Sequence, residues 1–200
     1  MATQPQDLQR HYYTLEEYYA LEGASDARWE YWKGNIYCMS GGTPEHGIIS
    51  SNAHAALAFG LRGGECRPLT GDTAIWTPQN PPYKYPDASV VCGEPQFKRI
   101  EGVGALINPV VIVEVLSPST AVRDHEAKFT LYQTIESFRE YLLVAQDQLR
   151  VTHYIRKANG AWERRDVTDM DSSLTLESVG CVLTMGDVYD GVTFSGEIIS

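Results

Sequence analysis

Residues 109–116 form an almost unbroken apolar run that contains one glutamate. The run reads Pro-Val-Val-Ile-Val-Glu-Val-Leu, and the acid is Glu114. Successive β-branched residues without a polar alternation are typical of a strand that is covered on both faces. Such strands occur in α/β proteins, so the sequence predicts a mixed central sheet flanked by helices.

Helical and strand patterns on both sides of the run complete this architecture. A capping box at Thr14–Glu17 starts a short helix, and Thr43-Pro44 starts a second helix that continues to about Arg62. The other predicted elements are a hairpin at 29–39, strands at 73–76, 87–92, 140–145, 149–156 and 162–167, a loop at 77–85, a helix at about 122–137, a weak strand near Val182 and a helical turn near Asp187. We predict one domain over residues 1–200, with a flexible tail at 1–11.

Length, charge and cysteine usage narrow the class of protein. The 200 residues suffice for one domain, no run of about 18 apolar residues predicts a membrane span, and the polar N-terminus favours a cytoplasmic protein. The four cysteines show no C-x-x-C spacing, so we expect free thiols and no zinc knuckle. The net charge of −10 opposes a nucleic-acid partner unless some carboxylates bind a cation.

Two acids are candidates for a metal site. An ionised carboxylate in an apolar strand costs several kcal/mol unless it is paired or binds a metal, and Glu114 lies near a strand end, where open α/β sheets bind ligands. Asp87 opens another strand after Pro86. Neighbouring strands lie about 4.8 Å apart, so the two acids can share one Mg²⁺ or Mn²⁺. The alternatives are a salt bridge for Glu114 and an ordinary turn for Asp87.

The helix after the Glu114 strand offers a candidate cation. Lys128 and Tyr132 are four residues apart and therefore share one helical face. A lysine near a metal orients the attacking water or stabilises charge that develops in the transition state. The alternative is a solvated lysine that pairs with Asp124 one turn earlier.

Three motifs together resemble one known family. Tyr85-Pro86-Asp87, the stretch Val113–Thr120 with its E-V-L-S-P-S-T, and Lys128-Phe129-x-x-Tyr132 are similar to the Uma2 restriction-endonuclease family of the PD-(D/E)xK nuclease superfamily. The helix at 14–21, the hairpin at 30–39, Pro44-x-His46 and the strand at 140–144 are similar as well. The resemblance covers roughly residues 12–190.

The resemblance implies a restriction-endonuclease-like α/β core in which Asp87 and Glu114 bind Mg²⁺, with the carbonyl of Val115 as a third ligand. The implied reaction is hydrolysis of DNA phosphodiesters by a metal-activated water. The superfamily pattern places a lysine two residues after the acid, where this chain has Leu116. The resemblance therefore implies that Lys128 supplies the cation from the following helix.

Three further residues are candidates for supporting roles. By resemblance Glu30 completes the acidic cluster; alternatively it is a solvated residue of an edge strand. His46, near a helix N-terminus, contacts a phosphate or the carboxylates, or it faces water. Asp72 follows Gly71 and is either an acid that supports the metal ligands without binding the metal itself, or an ordinary turn residue.

The locally basic stretch of the sequence is Arg150–Arg165. Strand alternation places Arg150 and Arg156 on one face, and we predict that these residues and Lys157 contact the DNA backbone. The alternative is an ordinary solvated hairpin.

The sequence leaves three functions open. The leading one is a Mg²⁺-dependent endodeoxyribonuclease that acts as a homodimer, so that two sites cut two strands. The second is a binding or regulatory module without turnover, which the missing strand lysine and the acidic charge favour. The third is a metal-dependent hydrolase of another phosphoester.

Overall fold

A six-stranded mixed sheet is the main framework of the computed structural model, which describes residues 11–39, 42–78, 82–116 and 123–194. The predicted tail at 1–11, apart from His11, and residues 117–120 of the E-V-L-S-P-S-T motif lie outside the described residues. The chain divides between residues 40 and 41 into two compact units.

The first unit consists of a helix and a β-hairpin: α1 (Leu15–Ala24), β1 (Trp29–Trp32) and β2 (Asn35–Cys38). The capping box is confirmed, because the Thr14 hydroxyl accepts the Glu17 N–H at 3.2 Å and the Glu17 carboxylate accepts the Thr14 N–H at 2.7 Å. Lys33 and Gly34 both have positive φ angles, 48° and 82°, as a two-residue hairpin turn requires. The predicted helix and hairpin are therefore confirmed.

The second unit contains all the other elements. They are α2 (Pro44–Gly60), β3 (Cys66–Thr70), β4 (Ala74–Trp76), β5 (Tyr83–Lys84), β6 (Ala88–Cys92), β7 (Phe97–Ile100), β8 (Val103–Leu106), β9 (Val111–Leu116), α3 (Arg123–Tyr132), β10 (Glu140–Ala145), β11 (Val151–Arg156), β12 (Trp162–Val167), β13 (Ser173–Leu176), β14 (Cys181–Thr184) and α4 (Met185–Val188). The main sheet has the order β12-β11-β10-β9-β6-β3, in which only β9 and β10 are parallel. A second sheet has the order β5-β4-β8-β7, and β13 pairs with β14.

Strand β9 is covered on both faces, as its composition predicts. On one face Val113 packs in a cluster with Ile49 of α2, and on the other Ile112 packs with Tyr132 of α3 and Tyr141 of β10. Full burial of such a side chain contributes about 1.5–3 kcal/mol, so these clusters determine where β9 lies. The predicted α/β class with a mixed central sheet is confirmed.

Helix α3 is shorter than the predicted helix at 122–137. It ends at Tyr132, and the prediction is wrong for the residues that follow. The Thr134 hydroxyl donates to the carbonyl of Leu131 at 2.6 Å, a local hydrogen bond that competes with continued helix. No helix in the described part of the chain has the length and apolar character needed to cross a membrane.

Two of the four cysteines form a disulfide, so the expectation of free thiols is wrong for Cys66 and Cys92. They are cross-strand partners at one end of β3 and β6. The sequence does not predict β3, because Pro68 interrupts its pattern, and without β3 the pairing cannot be recognised. Cys181 is a free thiol, as expected.

Candidate metal centre

The pairing of β6 with β9 sets the positions of the two predicted acids. The antiparallel register of β6 and β9 ends at the pair Ala88–Val113, and the same register continued by one residue would set Asp87 opposite Glu114. Residues opposed in this way project from the same face, with Cβ atoms about 5 Å apart. The register therefore brings the two acids together at one end of neighbouring strands.

Glu114 is almost completely buried, with 7% of its surface exposed, and α3 supplies its partners. The Lys128 ammonium donates to both carboxylate oxygens, at 3.2 and 3.1 Å, and the Tyr132 hydroxyl donates to Oε1 at 3.0 Å. Both partners are themselves buried. Lys128 thus lies against Glu114 and not in solvent, and it compensates the charge that burial would otherwise make costly.

Asp87 is held by two groups on opposite sides. Its Oδ2 accepts the N–H of Val115 at 2.6 Å, and its Oδ1 lies 2.7 Å from Nε2 of His46. Thr43 caps α2 by accepting the His46 N–H at 3.3 Å, which places the imidazole in the first helical turn. The predicted residues Asp87, Val115 and His46 therefore come together.

The pKa of His46 is raised. The hydrogen bond with Asp87 is the largest cause; burial acts in the opposite direction, and Gln146 and the charge of Glu114 add smaller contributions. The imidazole therefore senses both carboxylates of the site, and a protonated His46 is favoured beside Asp87.

Gln146 is a site residue that the sequence analysis missed. Its N–H donates to the carbonyl of Leu116 at 3.2 Å, its side chain is 8% exposed, and its Oε1 has no hydrogen-bond partner in the described parts of the chain. The amide lies close enough to the imidazole of His46 to contribute to its raised pKa. Because β10 runs parallel to β9, their C-terminal ends meet at one edge, and the rule that singled out Glu114 could also have identified Gln146.

In the turn between β3 and β4, Gly71 lies against Asp87, whereas Asp72 does not contact it. A Cβ on Gly71 would lie 3.1 Å from the carbonyl oxygen of Pro86 and 3.3 Å from that of Asp87, so only glycine fits without displacement. Asp72 is exposed, and its side chain makes no hydrogen bond or ion pair with any described residue. The structure therefore does not bring Asp72 into contact with the other candidates.

Glu30 belongs to the first unit, where it lies in β1 opposite Tyr37 of β2. It is 6% exposed and therefore buried, not solvated. Its role in an acidic cluster stays a prediction.

The residues predicted to contact DNA are engaged within the protein. Lys157 forms an ion pair with Glu163, and the Arg156 guanidinium donates to the carbonyl of Glu136 at 3.4 Å. Arg150 is half-buried. Their role in DNA binding stays a prediction.

Asp87, Glu114 and Val115 form a donor set that fits a hard divalent cation. The N–H and C=O of a strand residue point to the same neighbouring strand, so the Val115 carbonyl faces the side from which its N–H reaches Asp87. No three His, Cys, Asp or Glu side chains among the described residues are arranged to hold a metal. Mg²⁺ commonly binds one or two carboxylates and completes its shell with waters and substrate oxygens, and this donor set suits it better than zinc.

A mixed sheet with paired acids at the ends of two central strands and a lysine on the next helix defines an α/β protein with a nuclease-like fold. A solved structure of similar fold, from Anabaena variabilis, is described as "a putative nuclease belonging to DUF820". The TM-score is 0.68, the identity is 18%, and the match covers 88% of this chain and 97% of the other. At this identity the likeness shows the fold.

The chain belongs to the Uma2 family, described as "Putative restriction endonuclease", whose model matches residues 15–186. Two uncharacterized proteins of Synechocystis sp. are each 32% identical to it. One match spans 90% of this chain and 92% of the relative, and the other spans 74% and 84%. The family resemblance inferred from the motifs is confirmed.

Proposed function

We propose that this protein is a Mg²⁺-dependent endodeoxyribonuclease that hydrolyses phosphodiester bonds of DNA. The observation that carries the proposal is the buried Glu114 carboxylate, which contacts Lys128, while Asp87 accepts the N–H of the next residue, Val115. Membership of a family described as restriction endonucleases supports a nuclease. A buried Glu114 with a partly buried Asp87 at the same sheet edge is costly for a structural element and useful for a cation site.

Asp87 and Glu114 are the proposed side-chain ligands, and the Val115 carbonyl is the third. A Mg²⁺ ion held by these residues would supply a metal-activated water and Lewis-acid polarisation of a phosphodiester oxygen. Asp87 is oriented in advance by the Val115 N–H and by His46, so it loses little freedom when it binds a ligand. His46 is therefore a positioning residue in this proposal.

Lys128 and Tyr132 act on the other side of Glu114. The ammonium carries a positive charge in a buried site, where it stabilises negative charge on a phosphate in the transition state more than it would in water. The Tyr132 hydroxyl holds Oε1 and so limits the rotation of the carboxylate. The lysine thereby takes the role that the superfamily pattern assigns to the position of Leu116.

Double-strand cleavage requires two sites of opposite orientation. One chain contributes one set of these residues, so we propose that two copies act together on duplex DNA.

A binding module without turnover is the second candidate. It is favoured by the contacts of Glu114, whose two oxygens are both occupied by Lys128 and Tyr132, as in a purely structural ion pair. This candidate predicts binding of DNA without cleavage.

Cleavage of supercoiled plasmid separates these functions. We expect nicked or linear product with Mg²⁺ or Mn²⁺, loss of product on chelation, and loss of product in Asp87→Asn and Glu114→Gln. Magnesium binding with intact plasmid would contradict a nuclease and favour the binding module. Hydrolysis of small phosphodiesters with intact plasmid would indicate a different phosphoester substrate.

A further inference from the structure

Two exposed hairpins carry clusters of basic residues, and they differ in what the cations contact. On the β11–β12 hairpin, Arg165 lies 2.5 Å from Glu163, which also pairs with Lys157, and Arg164 lies 3.0 Å from Asp166. These acids neutralise the cations locally. Arg164 and Arg165 therefore have little uncompensated charge with which to attract phosphate groups.

The cations of the β7–β8 hairpin are arranged differently. Lys98 and Arg99 are both exposed, and neither forms an ion pair with any residue in the described ranges. The Lys98 ammonium lies 4.7 Å from the centre of the Trp76 ring, a cation–π contact that orients it without cancelling its charge. Phe97, next to these residues, is 55% exposed. This edge thus combines two exposed cations, which form no ion pair among the described residues, with the exposed ring of Phe97 and the half-buried ring of Trp76.

The position of this hairpin relates it to the candidate metal centre. It is the connection between β6, which follows Asp87, and β9, which contains Glu114. It also forms the edge of the sheet β5-β4-β8-β7, and β5 ends three residues before Asp87. Three strand spacings of about 4.8 Å separate β7 from β5, or about 14 Å. The three residues from β5 to Asp87 span at most about 11 Å, so β7 lies within about 25 Å of the acids. A DNA strand covers this distance in about seven nucleotides.

We propose that the β7 edge, with Lys98, Arg99, Phe97 and Trp76, is the surface that contacts the DNA backbone. This inference rests on the proposed nuclease function and names its partner surface. Lys98 and Arg99 project from opposite faces of the strand, so they reach two separate phosphates. The aromatic rings flank these contacts and pack against the sugars or unpaired bases. The contacts are independent of base sequence.

The test measures binding of the full-length protein to a labelled DNA duplex by fluorescence anisotropy. Ca²⁺ replaces Mg²⁺ so that the DNA stays intact. The variant Lys98→Gln/Arg99→Gln is compared with Arg164→Gln/Arg165→Gln, which removes the same formal charge from the ion-paired hairpin. We expect the first to weaken binding at least about tenfold and to lower the slope of log K against log salt by about 1.8, since each phosphate contact contributes about 0.9. We expect the second to change affinity less than about twofold.

The outcomes distinguish a failure of the proposed DNA-binding surface from a failure of the proposed nuclease function. If the wild-type protein binds and cuts DNA and the Lys98→Gln/Arg99→Gln variant binds equally well, the surface assignment is wrong and the nuclease stands. An equal loss in both variants would also overturn it, because the effect would then follow net charge alone. If the wild-type protein neither binds nor cuts DNA, both proposals fail. Circular dichroism melting checks that both variants, which alter only exposed side chains, remain folded.

Discussion

Two buried glutamates lie on adjoining parallel strands, one near the end of β9 and one at the start of β10. Glu114 contacts an ammonium and a tyrosine hydroxyl. Glu140 contacts Nε2 of His153 at 2.5 Å and accepts the N–H of Ser178 at 2.8 Å. Both acids sit in apolar strands, both are at least nine-tenths buried, and both have a basic partner. The immediate contacts of Glu114 and Glu140 therefore do not show which acid belongs to a functional site and which to a purely structural pair.

The difference lies in what surrounds each pair. His153 and Glu140 are 3% and 1% exposed, and their hydrogen bonds join β10, β11 and the turn before β14. Glu114 instead lies at the C-terminal edge of the sheet. Asp87 accepts the N–H of the next residue, Val115, and the charge of Glu114 helps to raise the pKa of His46. A buried glutamate is therefore informative about function when a second acid meets it at a sheet edge.

The largest contrast is expected in DNA cleavage. Glu114→Gln keeps the size of the side chain but removes a proposed cation ligand, so the rate should fall about 1,000-fold. Glu140→Gln removes a comparably buried charge from the other pair, so the folded fraction of that variant should cut DNA at nearly the wild-type rate. Initial rates with Mg²⁺, corrected for the folded fraction, provide the measurement. Equal losses in both variants would remove the distinction between the two pairs.

The next contrast concerns the cationic partner of Glu114. Lys128→Ala should lower the cleavage rate at least about 100-fold and leave metal affinity nearly unchanged, since the ammonium stabilises the transition state and is not a ligand. Arg165→Ala, which removes a surface cation paired with Glu163, is the control and should change neither. Single-turnover rates and calorimetric Mg²⁺ titrations test this. An unchanged rate in Lys128→Ala would exclude it from the site.

The stability of the fold should depend on the buried Glu140–His153 pair much more than on a surface ion pair. Removing the partner of a buried carboxylate costs about 3–5 kcal/mol, so His153→Gln, which removes the partner of Glu140, should lower the melting temperature by about 10 °C. Arg164→Gln, at a surface pair, should cost less than about 1 kcal/mol. Thermal melts followed by circular dichroism provide the comparison. A melting temperature within about 2 °C of the wild type would mean that the buried pair does not stabilise the fold.

The smallest effect is a pH dependence that belongs to the structural pair. Burial alone would raise the pKa of Glu140, but the hydrogen bonds from His153 and Ser178 outweigh it and the pKa is lowered. A carboxyl whose pKa is lower in the folded state stabilises the fold above its unfolded pKa, about 4.3, and loses this contribution as the pH falls through the folded value. Urea unfolding at a series of acidic pH values should therefore give a shallower pH slope for Glu140→Gln. Parallel curves for the two proteins would contradict this assignment.

The sequence predicts the parts of this molecule whose patterns are local. The apolar run of β9, the capping box of α1 and the hairpin across Asn159-Gly160 all depend on residues close in the chain, and each is found. The Uma2 motifs point to Asp87 and Glu114, and the structure shows that β6, which follows Asp87, pairs with β9, which contains Glu114.

Features that depend on distant partners are not predictable in this way. The disulfide requires knowing that β3 pairs with β6, and the pattern of β3 is interrupted by Pro68. The same apolar-strand criterion that selects Glu114 applies equally to Glu140, and only the tertiary contacts separate them. Gln146 and Gly71 acquire their significance from packing against His46 and Asp87.

A crystal structure of the protein with Mn²⁺, located by its anomalous scattering, tests the central claim most directly. We expect one ion bound by an oxygen of Asp87, an oxygen of Glu114 and the carbonyl of Val115, each at about 2.1 Å. Carboxylates that stay more than about 8 Å apart at saturating Mn²⁺, with no ion at this edge of the sheet, would contradict the account.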